Sequence, residues 1–293
     1  MTRFILFSLL FLTIFSCSKN DEDSRDDVTI NNGSHAIPLR GIIDSDTGIR
    51  LKRMDNFAFE YDDNGEICKY SGNEMEHGTC EFDQHHQVIT DNSRSCLDLI
   101  GTVSVDYIVT YNSKGYISSL RTPNGLDYVR SYSFQYDDNG HLININFLFN
   151  SDTRNFNIES DILLTWDRDM IISSFTTAKG LSNTDNIIAE EEMKYYYDNH
   201  ASDTNINKYY QYAPSYSYIS EVLIKGLFYL GLLGKGSYIL PSSKEINIVM
   251  DENNQKIERK SVQFFDYKIN PDGSLAKVIS DNTIKNYKYD IVK

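Results

Sequence analysis

Basic side chains are in short supply: 28 Lys and Arg stand against 42 Asp and Glu, a formal net charge of −14 at pH 7. Nucleic acid is thereby excluded as a partner, because phosphate contacts need clustered Lys and Arg. The densest basic run, Arg50-Leu51-Lys52-Arg53, is only three charges in an acidic field and suits a solvated strand edge. Also missing is a GxSxG elbow that would seat a nucleophile at the top of an α/β sheet, so a serine hydrolase is not indicated. No CxxC or HExxH frame is present to hold zinc. Against these gaps, a hydrophobic share of 40% and a charged share of 24% describe an ordinary globular chain, neither a disordered tail nor a polytopic membrane protein.

The first thirty residues give an address. Arg3 is the one charge in residues 1–16, and the apolar run from Phe4 to Phe15 is too short to span a bilayer as a stable helix. It reads as a secretory signal. The run ends in Leu12-Thr13-Ile14-Phe15-Ser16-Cys17, which resembles the bacterial lipobox, with Leu12 and Ser16 in the usual positions and Phe15 bulkier than usual. The resemblance implies that Cys17 is lipidated and becomes the new N-terminus, making the membrane a partner through that lipid; the alternative is a soluble exported protein cut near Ser16. Residues 17–35 lack the apolar surface to fold and form an acidic tether. The acidic cluster at Asp21-Glu22-Asp23 resembles the surface-export signal of Bacteroidota lipoproteins, which implies an outer-membrane protein facing either the periplasm or the cell exterior. Removing residues 1–16 takes Arg3 with it, and the net charge becomes −15.

With Cys17 taken by lipid, Cys68, Cys80 and Cys96 remain in a compartment that permits disulfides, and an odd number cannot all pair. Cys68 and Cys80 flank a segment rich in Gly and Glu, so a Cys68–Cys80 bridge with Cys96 free is weighed against three unpaired thiols.

An aromatic ladder running into a turn repeats along the remainder. Phe57-Ala58-Phe59-Glu60-Tyr61-Asp62-Asp63-Asn64-Gly65-Glu66-Ile67 is echoed at Tyr107 to Ile117, at Ser131 to Leu142 and at Phe265 to Leu275. Degenerate copies lie at Leu164 to Ile172, Ile246 to Ile257 and Met193 to Asp198. Alternation puts Phe57, Phe59 and Tyr61 on one face of a strand and Ala58 and Glu60 on the other. The following Asp or Asn caps a tight turn, and Gly65, Gly115, Gly140 and Gly273 supply the positive φ that closes each hairpin. One hairpin per roughly 25 residues fits a meander. The 21 Tyr and 15 Phe against a single Trp suit packing across such a sheet.

The β pattern breaks once, at Ile219 to Gly234, where Val222, Leu223, Leu227 and Leu230 share a helical face. Ser220 is placed to cap this helix and Gly234 to end it, while Gly226 and Gly231 each cost about 1 kcal/mol relative to Ala. The helix is expected to plug an open end of the curved sheet; the alternative is a partner-docking element. The hairpins, this glycine-studded helix and Lys235-Gly236-Ser237-Tyr238-Ile239-Leu240-Pro241-Ser242-Ser243 together resemble a family of Bacteroidota lipoproteins carrying a numbered domain of unknown function. The hairpins alone also resemble the YD repeats of wrapped β-shell proteins. The family resemblance spans roughly residues 36–293 and implies a β-rich exported domain with no assigned activity.

His77-Gly78-Thr79-Cys80 followed by His85-His86 carries zinc-ligating atoms without zinc spacing. Asp62-Asp63-Asn64-Gly65 and Asp137-Asp138-Asn139-Gly140 lack the alternate oxygens of a calcium loop, so turn chemistry is the better reading. Glu190-Glu191-Glu192 and Asp26-Asp27 read as solvated charge. The densest aromatic stretch holds Tyr195, Tyr196 and Tyr197, then Tyr209, Tyr210, Tyr212, Tyr216 and Tyr218. These last five are the candidate ligand-binding residues, suited to stack on a glycan or dock an envelope protein, against the alternative of core and edge packing. The expectation is therefore a single all-β domain over 36–293, an antiparallel meander of about five to seven hairpins forming a curved sheet, open barrel or shell with one inserted helix. It needs no cofactor and no metal. Its expected role is a non-enzymatic, lipid-anchored binding module, with a polysaccharide-active hydrolase built from separate strands and a structural component of an envelope complex as alternatives.

Overall fold

The computed structural model describes residues 43–44, 49–54, 57–72, 78–92, 104–151, 156–181, 186–197, 221–236, 239–252, 255–269, 271, 275–280 and 283–291. The expected signal and tether, Cys17, Cys96, Gly273, the helix cap Ser220 and Tyr209, Tyr210, Tyr212, Tyr216 and Tyr218 lie outside these residues.

The strands are β1 (Ile43–Asp44), β2 (Ile49–Met54), β3 (Phe57–Tyr61), β4 (Ile67–Gly72), β5 (Gly78–Phe82), β6 (Val88–Asp91), β7 (Val105–Tyr111), β8 (Ile117–Arg121) and β9 (Val129–Tyr136). Longer strands follow, β10 (Leu142–Ser151), β11 (Phe156–Asp167), β12 (Met170–Leu181), β13 (Asn186–Tyr196), β14 (Ser243–Glu252) and β15 (Gln255–Ile269), then β16 (Leu275–Ser280) and β17 (Thr283–Ile291). Each pairs antiparallel with its successor, and β17 pairs back with β2 through partners from Tyr287↔Met54 to Ile291↔Ile49. The fold is an all-β antiparallel meander curved into a shell, as the aromatic repeat predicts. It contains more hairpins than the five to seven expected, because several turns carry no Asp-x-x-Gly signature: the β11–β12 turn is Asp167-Arg168-Asp169, with Arg168 at φ 55°.

Alternation sets the two faces. Phe57 and Phe59 of β3 are buried and Glu60 is exposed, while Val105, Tyr107 and Val109 of β7 are buried and Asp106 and Thr110 are exposed. The inward rings touch across strands: Phe59 lies 6.3 Å from Tyr70, Tyr107 5.8 Å from Tyr132, and Tyr132 4.8 Å from Phe147. The hairpin corners are built alike. Asp62 Oδ1 accepts the amides of Asn64 and Glu66, Asn112 Oδ1 those of Lys114 and Tyr116, and Asp137 Oδ1 that of His141. The glycines three residues on, Gly65, Gly115 and Gly140, sit at φ 79°, 87° and 92°. A fourth corner of this design fills the gap in the repeat: Asp83 Oδ1 accepts from Gln87 and Val88, and His86 takes the glycine's place at φ 54°. Met193–Tyr196, expected as a degenerate hairpin, instead run straight through β13.

The helix α1 (Glu221–Tyr229) is shorter than the 219–233 expected and ends in a turn over Leu230–Leu233. Gly231, not Gly234, terminates it. At φ 71°, Gly231 donates to Phe228 O while Leu232 donates to Leu227 O, the paired bonds of a Schellman end. The helix is buried nearly all round, with Val222, Leu223, Ile224, Leu227 and Phe228 inaccessible, as for an element inside a core rather than on a surface. It lies against β4 and β5. Gly226 is there because Tyr70 is: a Cβ at Gly226 would stand 2.1 Å from the Tyr70 ring, whose hydroxyl donates to Leu223 O at 2.9 Å. No helix among the described residues is long and apolar enough to cross a membrane.

Candidate functional site

Three groupings of functional side chains stand out, two of them inside the shell. In the first, Asp91 and Cys80 pair across β5 and β6, with Cys80 Sγ 3.5 Å from Asp91 Oδ1. Burial pushes the Cys80 thiol well above its ordinary value, with the Asp91 charge adding to it, so this is an unreactive protonated thiol. Cys68 is also a free thiol, directed at Glu60 O at 3.5 Å. The expected Cys68–Cys80 bridge is therefore absent. Cys68 falls at the β-bulge where β4 slips against β3, which separates it from the buried position that Cys80 occupies.

The second grouping is His141, 1% exposed and stacked on Trp166 at 4.7 Å. Its Nδ1 lies 3.0 Å from Asp137 Oδ2 and its Nε2 3.0 Å from Asp169 Oδ1. Burial pushes the Asp137 carboxyl up, but bonds from the His141 ring and backbone outweigh it and hold Asp137 below the usual carboxylate value. Lys235 N donates to Gly140 O at 2.8 Å, so the same corner also holds the chain leaving α1. This is a clasp joining the β9–β10 turn, the β11–β12 turn and the helix exit.

The third grouping is on the outer face of β11 to β15 and is the candidate binding site. Register places Leu163, Phe175, Glu192, Asn247 and Lys260 in one cross-strand row, Lys194, Glu245 and Val262 in the next, and Tyr196, Ser243 and Phe264 in the third. Phe264 is 66% exposed, Val262 51% and Tyr196 43%, large apolar groups turned to solvent on paired strands. A cavity of about 540 Å³ opens over β13–β15, lined by Glu192, Lys194, Glu245, Asn247, Lys260 and Val262. Its charges are paired in place: Lys194 Nζ to Glu192 at 3.1 Å, Lys260 Nζ to Glu258 at 2.9 Å, and the Tyr196 hydroxyl donating to Glu245 Oε2 at 2.8 Å. The last bond raises the Tyr196 phenol above its ordinary value. Asn247 Oδ1 is shut off from solvent and accepts no hydrogen bond.

Of the aromatic stretch singled out in the sequence, the structure splits Tyr195–Tyr197. Tyr195 is buried, Tyr197 donates to Ile171 O at 2.7 Å, and only Tyr196 joins the outer face. Phe175 and Phe264 belong to the outer face as well, outside that aromatic stretch. The signal for Phe264 was present: it is out of phase with the inward ladder of Phe265 and Tyr267. The glutamates Glu190, Glu191 and Glu192 alternate across β13, exposed, buried and half-buried, and so do not act as one carboxylate group. His85 is exposed and His86 buried, its Nδ1 3.8 Å from Glu66, and among the described residues no group of three His, Cys, Asp or Glu side chains is arranged to hold a metal ion. The Leu240-Pro241-Ser242 stretch stitches the entry of β14: Tyr267 donates to Pro241 O, Ser242 N to Tyr196 O and Phe265 N to Ser242 O.

Fold and surface together define an antiparallel β-shell with an internal helix and a solvent-facing aromatic face. No family model and no curated protein matches the chain. Solved structures are similar to it, two porin-like proteins among them. One is a porin-like protein from Bacteroides uniformis ATCC 8492, at 15% identity and TM-score 0.48 over 80% of this chain and 90% of that one. The other is a porin-like protein from Bacteroides vulgatus ATCC 8482, at 16% identity and TM-score 0.48 over 80% of this chain and 92% of that one.

Proposed function

We propose that this chain is a lipid-anchored cell-envelope protein acting as a non-enzymatic binding module, with the outer face of β11–β15 as its binding surface. The observation that carries the proposal is the display of Phe175, Tyr196 and Phe264 on solvent-facing sheet positions beside a cavity. Exposed rings of this size leave apolar surface in water, and on strands whose backbone is already paired their burial costs side-chain ordering but no refolding of the backbone. The lipobox resemblance at Cys17 and the acidic tether support the anchor, and the resemblance to Bacteroidota lipoproteins supports an envelope location.

Two measurements test the proposal together. Labelled palmitate fed to cells should enter the wild-type chain and not Cys17→Ala, and solubilised envelope material should be retained by the wild type and lost by Tyr196→Ala/Phe264→Ala. Unlabelled wild type would refute the anchor, and equal retention by both proteins would refute the surface.

A further inference from the structure

Both nitrogens of the His141 ring face carboxylates. Nδ1 stands 3.0 Å from Asp137 Oδ2 of the β9–β10 turn, and Nε2 stands 3.0 Å from Asp169 Oδ1 of the β11–β12 turn. Asp137 is held below its ordinary carboxyl value, and an ionised carboxylate only accepts hydrogen bonds. A doubly protonated ring donates to both partners at once, whereas a neutral ring keeps one N–H and turns a lone pair toward the other carboxylate. The ring is 1% exposed and so closed to the solvent that would make good the lost bond. Trp166 of β11 stacks on it, centroids 4.7 Å apart and planes 14° from parallel, and the indole favours the charged form of the imidazole. The other charged groups on the elements around the ring, Lys114, Asp138, Asp167, Arg168 and Lys235, are exposed, where solvent screens them.

The two carboxylates are not held equally. Asp137 Oδ1 accepts from His141 N at 2.8 Å and Asp137 N donates to His141 O at 2.9 Å, so the backbone ties Asp137 to the histidine whatever the ring does. Asp169 follows Arg168, at φ 55°, on the tip of its hairpin and is 67% exposed. We propose that the clasp is a proton latch: with both ring nitrogens protonated, His141 pins the β11–β12 turn to the β9–β10 turn, and loss of one ring proton releases Asp169 and the hairpin tip that carries it. His141 also bridges to Lys235, so the latch sits where two hairpin turns meet the chain leaving α1, and a rise in pH loosens that junction.

Trp166 is the only tryptophan of the chain, and a protonated imidazole stacked on an indole quenches its emission. Emission of the full chain in detergent should therefore rise in a single step as pH increases through the range in which histidines lose their proton, about pH 5 to 8. Met170 and Ile171 pair with Asp167 and Trp166 across the hairpin, and the hydrogen-exchange protection factors of their amides should fall about tenfold over the same step, the loss of one charge-assisted bond, while those of β7 hold. His141→Asn should abolish the step. Asp169→Asn, at an exposed position, should move it toward lower pH by about one unit; because an amide donates as well as accepts, the hairpin should then keep its protection after the ring proton leaves. A midpoint unchanged in Asp169→Asn, or emission that stays constant with pH while the fold holds, would overturn the latch. So would a step that leaves Met170 and Ile171 protected, or one that coincides with loss of the far-ultraviolet circular dichroism, which would mark unfolding of the whole shell.

Discussion

Tyr70 and Gly226 are a matched pair, one side chain occupying the space the other leaves. The helix-propensity cost of a mid-helix glycine, about 1 kcal/mol, is offset by a ring packed against bare backbone and a hydroxyl bonded to Leu223 O. Gly226→Ala should therefore destabilise by about 1–3 kcal/mol through overpacking, opposite in sign to the propensity scale. Urea unfolding reads this directly, and a stabilised variant would contradict the packing. Asp137 gives a pH dependence. Its carboxyl is held below its ordinary value in the folded chain, so the stability it contributes is present above the unfolded value and lost as pH falls through the folded one. Asp137→Asn should be less stable than wild type at pH 7, and the gap should start to narrow as pH falls below about 4 and close as pH falls through the lowered folded value. A gap that does not narrow at all as the pH is lowered from 7 to the acid limit of folding would mean that the charge is not what holds the clasp.

Among the elements, the hairpins were the most legible in the sequence and the long strands the least. Alternating rings followed by Asp-x-x-Gly specify strand, turn and face through purely local chemistry, which is why β3, β7 and β9 and their corners are readable residue by residue. The fourth corner escaped because His86 replaces the glycine, leaving only Asp83 as its mark. The outer face was not legible: the candidate ligand-binding tyrosines, Tyr209 to Tyr218, lie outside the described residues, and Tyr196 stands in the sequence only as part of the neighbouring aromatic stretch. Which rings face water depends on cross-strand register and on the bulge between Thr165 and Trp166, information that no single segment holds. The helix was recognisable from its apolar run, but its end was not, because Gly231 and Gly234 are equally plausible stops until the Schellman bonds are seen. Its burial makes a prediction: Leu227→Ala should cost about 2–5 kcal/mol as a cavity in the core. Thermal or urea unfolding checks it, and a loss below about 0.5 kcal/mol, ordinary for a surface site, would return the helix to the role of docking element.

For the whole molecule, the pairing of β17 with β2 leaves every strand from β2 to β17 with a neighbour on both sides. Exposed sheet edges are templates for aggregation, so deletion of residues 283–293 should yield a chain that self-associates in gel filtration. A monodisperse truncated protein would show that the return pairing is dispensable. A shell protected in this way, filled by inward rings and a helix, leaves its outer surface free to carry function without disturbing the fold. The most direct test of that division of labour is hydroxyl-radical footprinting of the full chain with and without solubilised envelope material. Oxidation of Phe175, Tyr196 and Phe264 should fall in the bound state, while that of Leu126, exposed elsewhere on the shell, stays constant. Unchanged oxidation of all three rings when that material is bound would contradict the account.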